Sequence, residues 1–135
     1  MNNNNEISVL KEIKIAGDNS HPNVILDKQN NKFVFSGISI PENAEEFYYS
    51  IIEWFERYKG LANPRTEIVF KFDYIDRASS EMIGKLLDVV EAISREGNFI
   101  IVKWYYFFDD EDMLAEGRAF ANNHSFPFEL INYKI

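Results

Sequence analysis

Glu67-Ile68-Val69-Phe70-Lys71-Phe72-Asp73-Tyr74, followed after a short junction by a helical pattern from Ala78 to Glu96, sets the architecture of this chain. In the first stretch Ile68, Phe70, Phe72 and Tyr74 share one face, and Glu67, Val69, Lys71 and Asp73 the other. Period-two alternation of this kind predicts a strand with its apolar face against a core. In the second stretch Met82, Ile83, Leu86, Leu87, Val90 and Ile93 recur at helical spacing, and Gly97 closes the pattern. A strand that feeds directly into an amphipathic helix is the unit of a sheet built through helical crossovers.

The same alternation of periods continues on both sides. Downstream, Phe99 to Phe107 is almost wholly apolar or aromatic, which predicts a central strand buried on both faces. Asp109 to Asn123 reads as a third helix whose acidic first turn suits the positive end of the helix dipole, and Phe126 to Tyr133 as a last strand. Upstream, Ala44, Phe47, Tyr48, Ile51, Ile52, Phe55 and Tyr58 form the stripe of a helix running from Asn43 to Tyr58 and stopped by Gly60. Asn43 and Glu46 have capping-box spacing, with the glutamate expected to reach back to the cap residue. Before it, Val24-Ile25-Leu26 and Phe33-Val34-Phe35 flank the polar turn Asp27 to Asn31 of a hairpin, and Val9 to Ile15 suggests an irregular first strand. The expectation is an α/β fold: a tail at residues 1–6 without order, then one domain over residues 7–135. That domain has a mixed sheet of about five to six strands with helices packed against it.

With 135 residues, the chain is long enough for one self-sufficient core. It has no cysteine, which removes disulfides, zinc–thiolate sites and thiol catalysis. The net charge of -8, with lysine and arginine scattered, argues against a nucleic-acid partner and leaves room for a basic protein partner. There is neither a signal-peptide pattern at the start nor an apolar run of about 18–20 residues, so no membrane association and a cytoplasmic location are expected.

No catalytic constellation emerges. His21 and His124 sit in polar, loop-like surroundings without metal-ligand spacing. The glycines are isolated, so no phosphate-cradling loop exists, and no GxSxG motif occurs. Asp109-Asp110-Glu111-Asp112 is contiguous at a helix start, unlike the spaced ligands of a calcium loop. Neither a metal nor a cofactor is expected. An enzyme or small-ligand site built on Asp73, Asp76 and Asp109 with nearby tyrosines would lack a base beside a nucleophile. The most informative stretch is the junction Tyr74-Ile75-Asp76-Arg77-Ala78-Ser79-Ser80-Glu81, where a strand ends and a helix begins. In α/β sheets ligands and partners gather at such ends. Its hydroxyls fit two roles, capping the helix or accepting a phosphate that would change the local charge by about -2.

Three blocks resemble the SiaC-type family of bacterial regulatory phosphoproteins, whose fold is similar to STAS-domain anti-anti-sigma factors. They are Ser36 to Ala44 running on through Phe47 and Trp54-Phe55; Phe72 to Asp76 through Ser79-Ser80 to Leu86-Leu87-Asp88; and Val102 to Tyr106 with Asp109 to Met113, ending at Phe126-Pro127-Phe128. The resemblance spans about residues 24–131 and implies a non-enzymatic, STAS-like partner-switching protein. In such proteins a dedicated serine/threonine kinase and a PP2C-type phosphatase set the phosphorylation state, and in the better-understood case the unphosphorylated form binds and activates a diguanylate cyclase, the source of cyclic di-GMP. One departure from the family matters. The usual acceptor is a threonine in an Asn-Thr-Ser-Ser run, and ungapped alignment sets Asp76 at the Asn, Arg77 at the Thr and Ala78 at the next Ser. Ser79 and Ser80 remain as phosphorylation candidates, Ser79 ahead of Ser80, and Asp76, Arg77, Ala78, Ser79, Ser80 and Glu81 as the partner surface. The alternative is a constitutive binding scaffold that lost the switch through Arg77.

Overall fold

Six strands and three helices follow one another in the computed structural model, which describes residues 10–135. The expected tail at residues 1–6 and the position of Val9 lie outside the described residues. The elements are β1 (Ile13–Ile15), β2 (Asn23–Asp27), β3 (Lys32–Ser39), α1 (Ala44–Tyr58), β4 (Arg65–Ile75), α2 (Arg77–Arg95), β5 (Phe99–Phe107), α3 (Glu111–Asn122) and β6 (Phe128–Tyr133). They build one mixed sheet in the order β1-β2-β3-β4-β5-β6. The first three strands pair antiparallel, and β3 to β6 pair parallel through the three helices. Among the described residues no helix is long and apolar enough to cross a membrane.

Every crossover advances one strand in the same direction, so a single crossover hand puts all three helices on one face of the sheet. Burial follows that rule. Ile68, Phe70 and Phe72 of β4 are buried beneath the helices, whereas Val69 on the other face is half-buried and Lys71 exposed. Val102 and Trp104 of β5 are likewise enclosed, with Trp104 Nε1 donating to the Met113 carbonyl of α3 at 2.9 Å. The expectation that β5 is covered on both faces holds only for Ile100 to Val102. Beyond them Tyr105 and Phe107 are half-buried on the helix-free face, where Lys71 Nζ lies 4.5 Å from the Tyr133 ring centroid.

Two further sequence expectations shift. Tyr74 is 57% exposed and does not join Phe72 in the core. The register between β3 and β4 slips after Gly37, which pairs with Phe72, so that Ile38 meets Tyr74 and Asp73 becomes the extra residue of a bulge. One added residue inverts the inward–outward phase of everything after it, and Gly37 supports the local geometry with a φ of +91°. The α1 stripe is also broader than its spacing suggested. Trp54 is buried, stacks on Tyr58 at 5.2 Å, and donates its indole N–H to the Lys11 carbonyl at 2.7 Å. Asn43 caps α1 by accepting from the Glu46 N–H at 3.0 Å, one half of the expected capping box.

Candidate functional site

The junction of β4 and α2 lies at the carboxyl end of the parallel strands. Asp76 is the N-cap: its backbone is extended, and its Oδ1 accepts from the Ser79 N–H at 2.8 Å. Its own N–H donates to the Ser39 carbonyl at 3.1 Å, which ties the helix start to the end of β3. With the cap at Asp76, Arg77 takes the first helical position and Ser79 the third, and Ser79 therefore turns inward.

Ser79 is fully buried. Its Oγ donates to the Ser39 carbonyl at 3.0 Å and lies 2.8 Å from Ser39 Oγ, which in turn lies 2.7 Å from the Tyr48 hydroxyl. A hydroxyl has one proton, so the direction of the whole chain is fixed. Ser79 spends its proton on the carbonyl, Ser39 must donate to Ser79, and Tyr48 must donate to Ser39. Burial pushes the Tyr48 phenol up to about 12, partly offset by its hydrogen bond with Ser39. Three elements are thus stitched together by hydroxyls that water does not reach.

Ser80, one residue on, points the other way. It is half-buried, and its Oγ donates to Glu116 Oε1 of α3 at 2.5 Å. Arg77, Ser80, Glu81 and Glu116 line one shallow recess, with Arg77, Ala78 and Glu81 exposed. Of the six residues expected at a partner surface, Arg77, Ala78, Ser80 and Glu81 are together on the outside. Ser79 is inside the fold, and half-buried Asp76 is occupied as the helix cap. Sequence reading missed Ser39, Tyr48 and Glu116. Ser39 lies at a strand end within the first family-like block, Tyr48 reads in the sequence as one more residue of the α1 stripe, and Glu116 has no local signal.

The remaining candidates are dispersed. His21 Nδ1 lies 2.9 Å from Asp18 Oδ1, and Asp18 also accepts from the Ser20 and His21 backbone N–H groups. Those bonds, Ser20's foremost, hold the Asp18 carboxyl down to about 2. His124 bridges the Phe120 carbonyl at 2.8 Å and Asp88 Oδ1 at 3.0 Å, so both its ring nitrogens are engaged. Asp73 and Asp109 share a shallow depression with Asp110 and Tyr133, but Asp76 is not part of it. Burial, then the Asp73 and Asp110 charges, push the Tyr133 phenol upward. No group of three histidines, aspartates or glutamates that could hold a metal ion occurs among the described residues.

The sequence model of the SiaC family, described as regulatory phosphoproteins, matches residues 15–133. An uncharacterized protein of Pseudomonas aeruginosa (strain UCBPP-PA14) is 26% identical over 121 residues, 90% of this chain and 96% of that protein. Among solved structures, SiaC of Pseudomonas aeruginosa superposes with a TM-score of 0.82 at 24% identity, covering 91% of this chain and 99% of its own. A similar match, with a TM-score of 0.82, 25% identity and coverage of 90% and 99%, comes from the crystal structure of the diguanylate cyclase SiaD in complex with its activator SiaC.

Proposed function

The chain belongs to the SiaC family of regulatory phosphoproteins, and we propose that it is a non-enzymatic, cytoplasmic signalling regulator that binds an output enzyme of the diguanylate cyclase kind through the start of α2. The observation that carries this reading is the solved complex of a 25%-identical relative with the cyclase it activates. The exposed residues Arg77, Ala78 and Glu81, with half-buried Ser80 among them, support the location. Arginine and tyrosine are among the residue types that dominate binding energy at interfaces, and the adjoining strand end exposes Tyr74, three residues before Arg77.

A kinase and a PP2C-type phosphatase would control the contact through a serine. Burial favours Ser80 over Ser79 as the acceptor. A kinase would have to open the hydroxyl chain to reach Ser79, whereas Ser80 has only its bond to Glu116 to give up. A phosphate on Ser80 brings about two negative charges against the Glu116 carboxylate and beside Glu81, and within reach of Arg77 one turn back. It would force α3 away from the start of α2 and make an already acidic recess more negative by about two charges.

Mass spectrometry on protein from its own host, before and after PP2C-type phosphatase treatment, tests the switch. The expected result is a phosphatase-sensitive gain of about 80 Da on Ser80, lost in Ser80→Ala. Titration against the host's diguanylate cyclases should then show Ser80→Glu binding at least about tenfold more weakly than the native chain. Phosphate on Ser79 alone would overturn the choice of serine, and a native chain that binds none of the cyclases would overturn the partner. Arg77, which occupies the aligned position of the family's acceptor threonine, favours one second reading, a constitutive binder. Under that reading no phosphate appears in any growth condition and Arg77→Glu, not Ser80→Glu, abolishes binding.

A further inference from the structure

Alongside the α2 start runs a groove between α1 and α2. Glu45, Tyr49, Ile52, Glu53 and Glu56 of α1 line it together with Met82 and Lys85 of α2, and it continues past Ala44 to Glu42, Ala78 and Glu81. These residues recur at three- and four-residue spacing on both helices, so the groove runs between one ridge of each. Its floor is apolar: Ile52 and Met82 are the more buried lining residues, and Tyr49, 65% exposed, borders them. From Glu45 to Glu56 it extends about 16 Å, roughly three helical turns.

Its rim is predominantly acidic. Glu42, Glu45, Glu53, Glu56 and Glu81 surround the apolar floor and face the single cation Lys85. None of the five is in an ion pair among the described residues. The helix-free face of the sheet is different, since charges of both signs mix there and Lys103 pairs with Glu67 at 3.3 Å. Carboxylates needed only for solubility would serve equally well anywhere. Gathered around an exposed aromatic, they make a surface complementary to one kind of ligand.

We propose that this groove receives a basic amphipathic helix of a protein partner. Its apolar stripe lies on Tyr49, Ile52 and Met82, and its flanking lysines and arginines meet the glutamates. The inference rests on the reading of the α2 start as a partner surface, with which the groove shares Ala78 and Glu81. Tyr49, Ile52 and Glu53 belong to the groove alone, and Arg77 and Ser80 to the helix start alone.

Two synthetic helical peptides of about 18 residues provide the test, both with the same leucine stripe, one flanked by lysine and arginine and the other by glutamate. Each is titrated into the isotope-labelled full chain and followed by amide chemical shifts. The basic peptide is expected to give saturable shifts centred on Tyr49, Ile52 and Met82, and to weaken at least about fivefold between about 50 and 300 mM NaCl. Glu53→Lys with Glu56→Lys, both at exposed positions, should weaken it at least about tenfold while the circular dichroism spectrum stays native. Equal binding of the acidic peptide overturns the proposal, as do shifts centred on the sheet face. Shifts at Arg77 and Ser80 with a silent groove overturn it and leave the helix-start reading standing. If neither peptide binds, the groove is refuted, and the cyclase titration alone decides the helix start.

Discussion

Two adjacent serines at the start of α2 have opposite fates because Asp76, not a serine, caps the helix. The cap fixes Ser79 at the third position, pointing into the fold, and leaves Ser80 at the surface beside Glu116. Buried hydroxyls are stabilising only while each finds a partner, so the Tyr48–Ser39–Ser79 chain should respond to loss of any member. Tyr48→Phe takes away the donor to Ser39 and is expected to lower unfolding free energy by about 1–2 kcal/mol, read from the urea midpoint. The phenol adds a pH signature. Its folded pKa, about 12, lies above the ordinary value near 10, so the folded state holds the proton more tightly. The stabilising contribution is complete below about pH 10 and is lost as pH rises towards 12, because there the unfolded chain binds fewer protons. The variant's alkaline limb should therefore be shallower than the native one without becoming flat, since Tyr58 and Tyr133 are also shifted upward. Superimposable limbs and equal midpoints would show that the hydroxyl chain has no energetic role.

At the scale of the element, α3 shows local propensity losing to packing. A glycine inside a helix ordinarily costs about 1 kcal/mol relative to alanine, so Gly117→Ala should stabilise by that rule. A Cβ there would lie 2.5 Å from Trp104 Cδ1 and 2.7 Å from Leu130 Cδ2. Trp104 cannot yield easily, because its indole N–H is bonded to the Met113 carbonyl and its ring is fully enclosed. Gly117→Ala is expected to destabilise by about 1–3 kcal/mol and to alter the near-ultraviolet tryptophan dichroism. Gly84→Ala in α2 is the matched contrast: its Cβ would meet only Phe120 at 3.6 Å, and its thermal midpoint should hold or rise. A stable Gly117→Ala with native dichroism would mean that α3 can shift on the sheet. The same contest explains what was legible beforehand. Helices and strands could be read because their spacing is local: Met82 to Ile93 announces α2, and Ile68 to Phe72 announces β4. The outward turn of Tyr74 could not be read, because the bulge exists only where β3 and β4 meet. At the site, Arg77 and Glu81 were legible as residues of a helix start, whereas the Ser80–Glu116 bond joins residues 36 apart in sequence and leaves no trace in either neighbourhood.

For the molecule as a whole the deciding quantity is charge. The chain carries 22 acidic against 14 basic residues, and of the four ion pairs among the described residues two depend on histidine. Arg95–Glu91 is exposed on its basic side, and Lys103–Glu67 is partly exposed, so both are worth little. Self-repulsion among carboxylates, concentrated along α1 and the groove, is then the larger electrostatic effect on folding. Screening weakens repulsion and attraction alike, so the sign of the salt response tells which dominates. The urea midpoint near pH 7.5 is expected to rise as NaCl increases from about 20 to about 200 mM. Glu53→Lys with Glu56→Lys halves the net charge and should raise the low-salt midpoint and flatten the response. A native midpoint that falls with salt would mean that attraction between opposite charges outweighs repulsion, and that the glutamates of α1 are compensated in the free protein. A rise would mean that the fold tolerates an unfavourable field that a cationic partner relieves, so the salt that stabilises the free chain should weaken the complex.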